Sequence, residues 1–196
     1  MRVSLLVAAL AFCAVSVTAH ANPVRYTLSG TMSGTLGAET FTDATVTFTF
    51  LGDSANTNSL GAGYYSNAAG TGTVTINGLG TATFSSSTFG VLGAAGSAGF
   101  SDFGTGFNVG ILDFGLADYD LSAPFTDMGY FVNGFTGITP AEATSLGDLI
   151  ISNGDFQNAT TMFQAAAVSA IPEPASFMLL GTGLVGVIGA ARRRLA

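Results

Sequence analysis

Thr45-Val46-Thr47-Phe48-Thr49-Phe50 alternates hydroxyl and large apolar side chains without a break. In an extended chain successive side chains point to opposite faces, so the run puts Val46, Phe48 and Phe50 on one face and three threonines on the other. Every residue in it is of a type that favours strands. Val24-Arg25-Tyr26-Thr27-Leu28 has the same period, with its apolar side chains at the even positions. Between the two, Ser33-Gly34-Thr35-Leu36-Gly37 reads as turn material, and Gly52-Asp53-Ser54-Ala55-Asn56-Thr57-Asn58 opens a longer loop.

Further along, Thr73-Val74-Thr75-Ile76-Asn77-Gly78-Leu79-Gly80-Thr81-Ala82-Thr83-Phe84 sets Asn-Gly between two alternating runs, which predicts a hairpin with a type I′ turn. Asn133-Gly134 and Asn153-Gly154 repeat that chemistry, the second expected to join Leu149-Ile150-Ile151 to the segment 156–168. One stretch departs from strand patterning. Thr139-Pro140-Ala141-Glu142 fits a capping box with proline at the first helical position, and predicts a short helical turn ended by Gly147. With 27 glycines and no other amphipathic helix between the termini, the expected fold is all-β, a single antiparallel β-sandwich or jelly-roll-like domain.

Both ends break this pattern. Met1-Arg2, an uncharged run and Ala19-His20-Ala21 have the form of a secretory signal peptide over residues 1–21, cleaved at an A-x-A site made by Ala19 and Ala21. At the other end Ile171-Pro172-Glu173-Pro174-Ala175-Ser176 leads into an uncharged run that ends before Arg192-Arg193-Arg194. The two prolines fix φ and remove two backbone donors, which holds Glu173 in an extended, accessible segment. The seventeen residues 175–191 are just long enough for a transmembrane helix. An arginine cluster stays on the cytoplasmic side, so the β-rich part, residues 22–170, is expected on the other. Gly181-x-Gly183-x-x-Gly186 matches a dinucleotide fingerprint in letters only, because neither the preceding strand nor the later acidic residue is present.

Pro172-Glu173-Pro174, a glycine-rich apolar segment and a closing arginine cluster, in that order, resemble the PEP-CTERM sorting signal of Gram-negative bacteria. The resemblance covers residues 171–196. It implies recognition by an exosortase, an integral-membrane cysteine transpeptidase-like enzyme that cuts near the Pro-Glu-Pro. Pro172, Glu173, Pro174, Arg192, Arg193 and Arg194 are then the sorting and processing residues. The Thr-Phe-Thr-Phe run and Ser145-Leu146-Gly147-Asp148-Leu149 are also similar to the bodies of such proteins, which implies a β-sandwich without assigned catalytic residues. That family accompanies exopolysaccharide and biofilm or floc formation.

Composition narrows the chemistry. Cys13 and His20, the one cysteine and the one histidine, both lie in the expected signal peptide, and the chain has no lysine. Without thiol, imidazole or amine, serine and cysteine catalysis lack a base or nucleophile, and zinc, haem and iron–sulfur sites lack their usual ligands. No cofactor is expected. Between residues 22 and 170 one cation, Arg25, faces eleven carboxylates, a formal charge of −10 that disfavours nucleic acid.

Carboxylates and tyrosines remain. Asp113, Asp118 and Asp120 form the densest acidic-aromatic cluster, and in a strand Asp118 and Asp120 would face one side. A solvated loop is the leading reading of that cluster. Calcium binding is the next, without an EF-hand match, and carboxylate catalysis of glycoside hydrolysis the third. Asp102-Phe103-Gly104 and Asp113-Phe114-Gly115 read as Asp-aromatic-Gly turns. Tyr64, Tyr65, Tyr119 and Tyr130 are the residues by type able to stack on sugar rings.

The expectation is therefore a non-enzymatic exported protein. It is processed by signal peptidase and an exosortase-like enzyme, held briefly in the inner membrane, and delivered to the outer surface or extracellular matrix, with exopolysaccharide as a partner. The competing readings are a carboxylate-dependent polysaccharide-active enzyme and an uncut, membrane-anchored ectodomain that binds glycan or calcium.

Overall fold

The computed structural model describes residues 22–94, 96–117, 119–132, 138–154, 160–169 and residue 183. A long hairpin sets its geometry: β1 (Pro23–Leu36) and β2 (Glu39–Asp53) pair antiparallel from Pro23 opposite Asp53 to Leu36 opposite Glu39. Val24, Tyr26 and Leu28 on β1 and Val46, Phe48 and Phe50 on β2 are buried, as their alternation predicts. The turn is displaced from its expected place. Residues 33–36 continue β1, and the chain reverses at Gly37, whose φ of 59° is left-handed. Gly34 serves a different need: a Cβ there would stand 2.0 Å from the Ile150 carbonyl oxygen, so the glycine lets two backbones approach within the sheet.

A 3-10 turn at Ser54–Asn56 leads to the short strands β3 (Asn58–Gly61) and β4 (Tyr64–Asn67). Next, β5 (Gly70–Ile76) returns alongside β2, and β6 (Gly80–Thr83) pairs with β5. The Asn77-Gly78 hairpin forms, but on a different turn. Leu79 N–H donates to the Ile76 carbonyl, and of the central pair only Gly78 has a positive φ, 89°. Type I′ would need Asn77 left-handed as well; a glycine at the third position alone is the type II pattern.

The meander β7 (Phe89–Ala94), β8 (Ser97–Asp102) and β9 (Asn108–Leu112) follows, then β10 (Phe125–Val132), β11 (Glu142–Thr144), β12 (Gly147–Gly154) and β13 (Thr161–Ala167). Every ladder between strands is antiparallel, in the order β3-β4-β7-β8-β9-β10-β13-β1-β2-β5-β6. The all-β, antiparallel expectation holds, as one curled sheet whose two parts face each other. β10 is the corner: its residues 125–129 pair with β13, and residues 130–132 with β9.

Two further local expectations give way to the sheet. The segment from Thr139 to Gly147 is no helical turn, since Glu142–Thr144 is strand β11 and Gly147 opens β12. Thr139 makes two hydrogen bonds to Ile151 of β12 instead: its N–H donates to the Ile151 carbonyl, and its hydroxyl accepts from Ile151 N–H at 2.9 Å. Nor does Asn153-Gly154 turn a hairpin. It is the end of β12, with Asn153 opposite Ser33 and Gly154 opposite Met32. Hence β12 and β13 do not pair with each other. They lie end to end along one side of β1, β13 against residues 24–29 and β12 against residues 32–36, and the β12 ladder shifts register at Ser33/Gly34, where Ser152 is the extra residue. Asn133-Gly134 lies outside the described residues.

An open edge exposes unpaired backbone groups to association. The β6 edge is covered at its Thr83 end: Ser145 N–H donates to the Thr83 carbonyl, Ser85 N–H to the Ala143 carbonyl, and Phe84 forms an antiparallel bridge with Thr144. Through β11 and β12 this part of the sheet closes back onto β1. β3 ends the other side and is only four residues long.

The two parts of the sheet meet at phenylalanine rings. Phe48 on β2 lies 5.7 Å, centroid to centroid, from Phe100 on β8, and 6.1 Å from both Phe84 and Phe107; Phe84 and Phe89 stack at 3.7 Å. That stack rests on Gly72, where a Cβ would stand 2.5 Å from the Phe89 ring. Phe48→Ala should cost about 3–5 kcal/mol in denaturant unfolding, whereas Leu51→Ala, on the exposed face of the same strand, should stay within about 0.5 kcal/mol of the parent. Gly72→Val should destabilise by about 1–3 kcal/mol, through overpacking rather than a cavity.

Candidate functional site

The residues singled out for processing, Ala19, Ala21, Pro172, Glu173, Pro174, Arg192, Arg193 and Arg194, lie outside the described residues, as does the apolar run 175–191 apart from Gly183. Among the described residues no helix is long and apolar enough to cross a membrane. The strand before this tail is well anchored: β13 pairs with both β1 and β10, and Val168 N–H donates to the Pro23 carbonyl at 2.8 Å. The first and last strands of the body therefore finish side by side.

Asp113 and Asp120 both work as turn-makers. The Asp113 carboxylate accepts Gly115 N–H at 2.7 Å and caps the 3-10 turn Phe114–Leu116. The Asp120 carboxylate accepts the Ser122 hydroxyl at 2.7 Å and Ser122 N–H at 3.0 Å, and these bonds hold its pKa below the ordinary carboxylate value despite partial burial. Asp118 lies outside the described residues. The described part of 113–124 contains no strand, so the same-face geometry expected of a strand does not arise there. Among the described residues no three His, Cys, Asp or Glu side chains come together as a metal cluster. Asp102 repeats the Asp113 geometry, its Oδ1 accepting Gly104 N–H, and both Asp-aromatic-Gly turns leave their phenylalanine exposed.

This loop is pinned to the core from below. Tyr26, fully buried on β1, donates its hydroxyl to the Leu121 carbonyl at 2.7 Å, and Leu121 is itself buried with a left-handed φ of 63°. Burial pushes the Tyr26 phenol above its usual range. Tyr119 stacks on Phe125 at 4.7 Å, and burial raises its phenol too. Of the four tyrosines suggested for sugar stacking, Tyr65 and Tyr119 pack against the core. Tyr64 and Tyr130 are exposed, on β4 and β10, with β7, β8 and β9 between those strands in the sheet order.

What the sequence did not reveal is a pair of interior carboxyl groups. Asp102 ends β8, Glu142 begins β11, and neither has any exposed surface. Burial pushes the Asp102 carboxyl up, but hydrogen bonds from Ser86, Thr88, Gly104 and Thr105 outweigh it and bring the pKa below the ordinary value. Burial raises Glu142; the Thr105 hydroxyl offsets part of the rise, while Asp102 and, more weakly, Asp148 add to it. A sequence signal existed for one of them. Asp102 continues the inward series Ala98, Phe100 on β8, all three buried. Glu142 was hidden by its fit to a capping box.

For Asp120, a lowered folded pKa means stability that is present above the unfolded value and lost as pH falls through the folded one. Asp120→Ala should therefore destabilise by about 1 kcal/mol at neutral pH, and the gap to the parent should narrow as the solution is acidified below the ordinary carboxylate value of 3.8. Urea midpoints at neutral and at acid pH would check it.

Among known families, the PEP-CTERM protein-sorting motif matches residues 170–194. No curated protein and no solved structure matches the chain. The matched segment begins three residues after β13 ends, where the ladder stops and the Pro-Glu-Pro tail takes over. The chain thus carries a PEP-CTERM protein-sorting motif at residues 170–194, which supports export and sorting by an exosortase-like enzyme.

Proposed function

We propose that residues 22–170 are a non-enzymatic cargo domain that serves as a structural or adhesive component of the cell surface or extracellular matrix, in a polysaccharide-rich setting. On this reading, signal peptidase removes residues 1–21, the segment 175–191 holds the chain in the inner membrane of a Gram-negative cell, and an exosortase-like enzyme acts near Pro172-Glu173-Pro174. The observation that carries it is the sorting motif at residues 170–194, set directly after the last strand.

The body's own architecture supports the reading. Pro23 and Val168 are hydrogen-bonded neighbours, so cuts before and after them would remove both hydrophobic ends and leave every described ladder intact. A β6 edge covered at its Thr83 end and a formal charge of −10 suit a protein that must stay soluble once released.

Intact mass of the form recovered from the cell surface is expected to show loss of both the signal peptide and the arginine-bearing tail. Replacing Pro172, Glu173 and Pro174 together by alanine should leave the chain in the membrane fraction. Recovery at the surface with Arg192-Arg193-Arg194 still attached would count against processing. On glycans, binding without turnover is expected; release of reducing sugar, abolished by Asp120→Asn, would replace the matrix role with a hydrolytic one.

A further inference from the structure

Asp102 and Glu142 come from strands far apart in the sheet order and meet at one end of the fold. Asp102 Oδ1 is well supplied: it accepts the Thr88 hydroxyl at 2.6 Å, Gly104 N–H, and Thr105 N–H at 3.3 Å. Glu142 Oε2 accepts the Thr105 hydroxyl at 2.7 Å. The other two oxygens, Asp102 Oδ2 and Glu142 Oε1, are buried and have no donor. Thr105 brings the two carboxyl groups together, its N–H donating to Asp102 and its hydroxyl to Glu142.

A buried carboxylate oxygen without a donor is costly, and two in contact repel as well. Three things could relieve them: a cationic side chain, a metal ion or a proton. Arg25, the only cation between residues 22 and 170, is exposed on β1 opposite Leu51 and Ala166. Calcium takes about six to eight oxygen ligands, but only two oxygens are free here and no third acidic group joins them among the described residues. A proton needs one atom to carry it and one to accept it, which is what two orphaned oxygens provide.

We infer that Asp102 and Glu142 hold one proton between them, as a carboxylic acid hydrogen-bonded to a carboxylate, and that this shared proton latches β11 to the β8–β9 turn. Glu142 carries the proton and Asp102 accepts it, in line with the opposite directions of their pKa shifts. The hydroxyls of Ser86, Thr88 and Thr105 face the pair, and the Asp148 carboxylate of β12, exposed on the other face of the ladder from Glu142, acts on it only as a more distant charge; none of these groups is a cation. The latch joins the two parts of the sheet beside the place where β11 meets the β6 edge.

The pH dependence follows from the signs. Glu142 has a folded pKa above its ordinary 4.5, so its contribution is complete below that value and is lost as pH rises through the folded one. Asp102 lies below its ordinary 3.8, so its contribution is present above that value and is lost as pH falls through the folded one. Between the two folded values the latch is shut, and it loosens on the alkaline side, where two buried charges are left in contact.

The test uses the full chain in detergent micelles, with thermal unfolding followed by tyrosine circular dichroism from about pH 5 to about pH 8. Glu142→Gln keeps a donor toward Asp102 and an acceptor for Thr105, and so imitates the protonated acid permanently. The parent's midpoint should fall relative to Glu142→Gln as pH rises, by about 2–4 °C over that span. As a second readout that does not depend on the variant's stability, infrared spectroscopy of the parent should show a buried protonated carboxyl band that disappears on alkaline titration. Parallel midpoint curves for parent and variant together with no such band would overturn the proposal. So would a rise in the parent's midpoint on adding calcium that Glu142→Gln abolishes, since a metal would then occupy the pair.

Discussion

Phe48 is the point at which a single sheet becomes a folded body. Its ring lies between the layer that contains its own strand and the layer that contains Phe100, with Phe84, Phe89 and Phe107 packed around the same contact. A flat antiparallel sheet of this length would expose one apolar face to water, and burying that face requires a partner. Here the partner is the other end of the same sheet. The aromatic cluster holds the curl, and the corner at β10, the glycine-permitted close approaches and the covering of the β6 edge at Thr83 all follow from having to bring the two ends together.

With one cation for eleven carboxylates, the body cannot neutralise interior charge by ion pairing. It uses hydroxyls and backbone N–H groups. Threonine and serine supply Asp102, Asp120 and Glu142 with donors, and Asp113 is satisfied by a turn amide. The exception is the pair of oxygens between Asp102 and Glu142, where no donor remains and a retained proton is the economical solution. The same acidity that keeps the exterior soluble thus leaves one interior contact sensitive to pH.

The placement of the chain ends joins structure to sorting. The two strands that begin and end the body lie side by side, and the Pro-Glu-Pro tail starts within a few residues of the last ladder bond. None of the described ladders uses a residue from either hydrophobic end.

Alternation was legible wherever a strand buries only one face. Val24-Arg25-Tyr26-Thr27-Leu28 and Thr45-Val46-Thr47-Phe48-Thr49-Phe50 declared their buried residues correctly, and Pro172-Glu173-Pro174 with its arginine cluster declared the sorting motif. Glycine was not legible, because it serves both reversals and close approach: Gly37 turns the chain, while Gly34 and Gly154 lie within strands. Glu142 matched a capping box as well as any true one, yet it faces Asp102, forty positions earlier in sequence. The sequence by itself determined which residues seek the interior and how the chain is addressed, since both depend on local periodicity and composition. Only the tertiary structure decided which strands meet and which carboxyl groups share an interior, because those contacts join segments whose separation leaves no local trace.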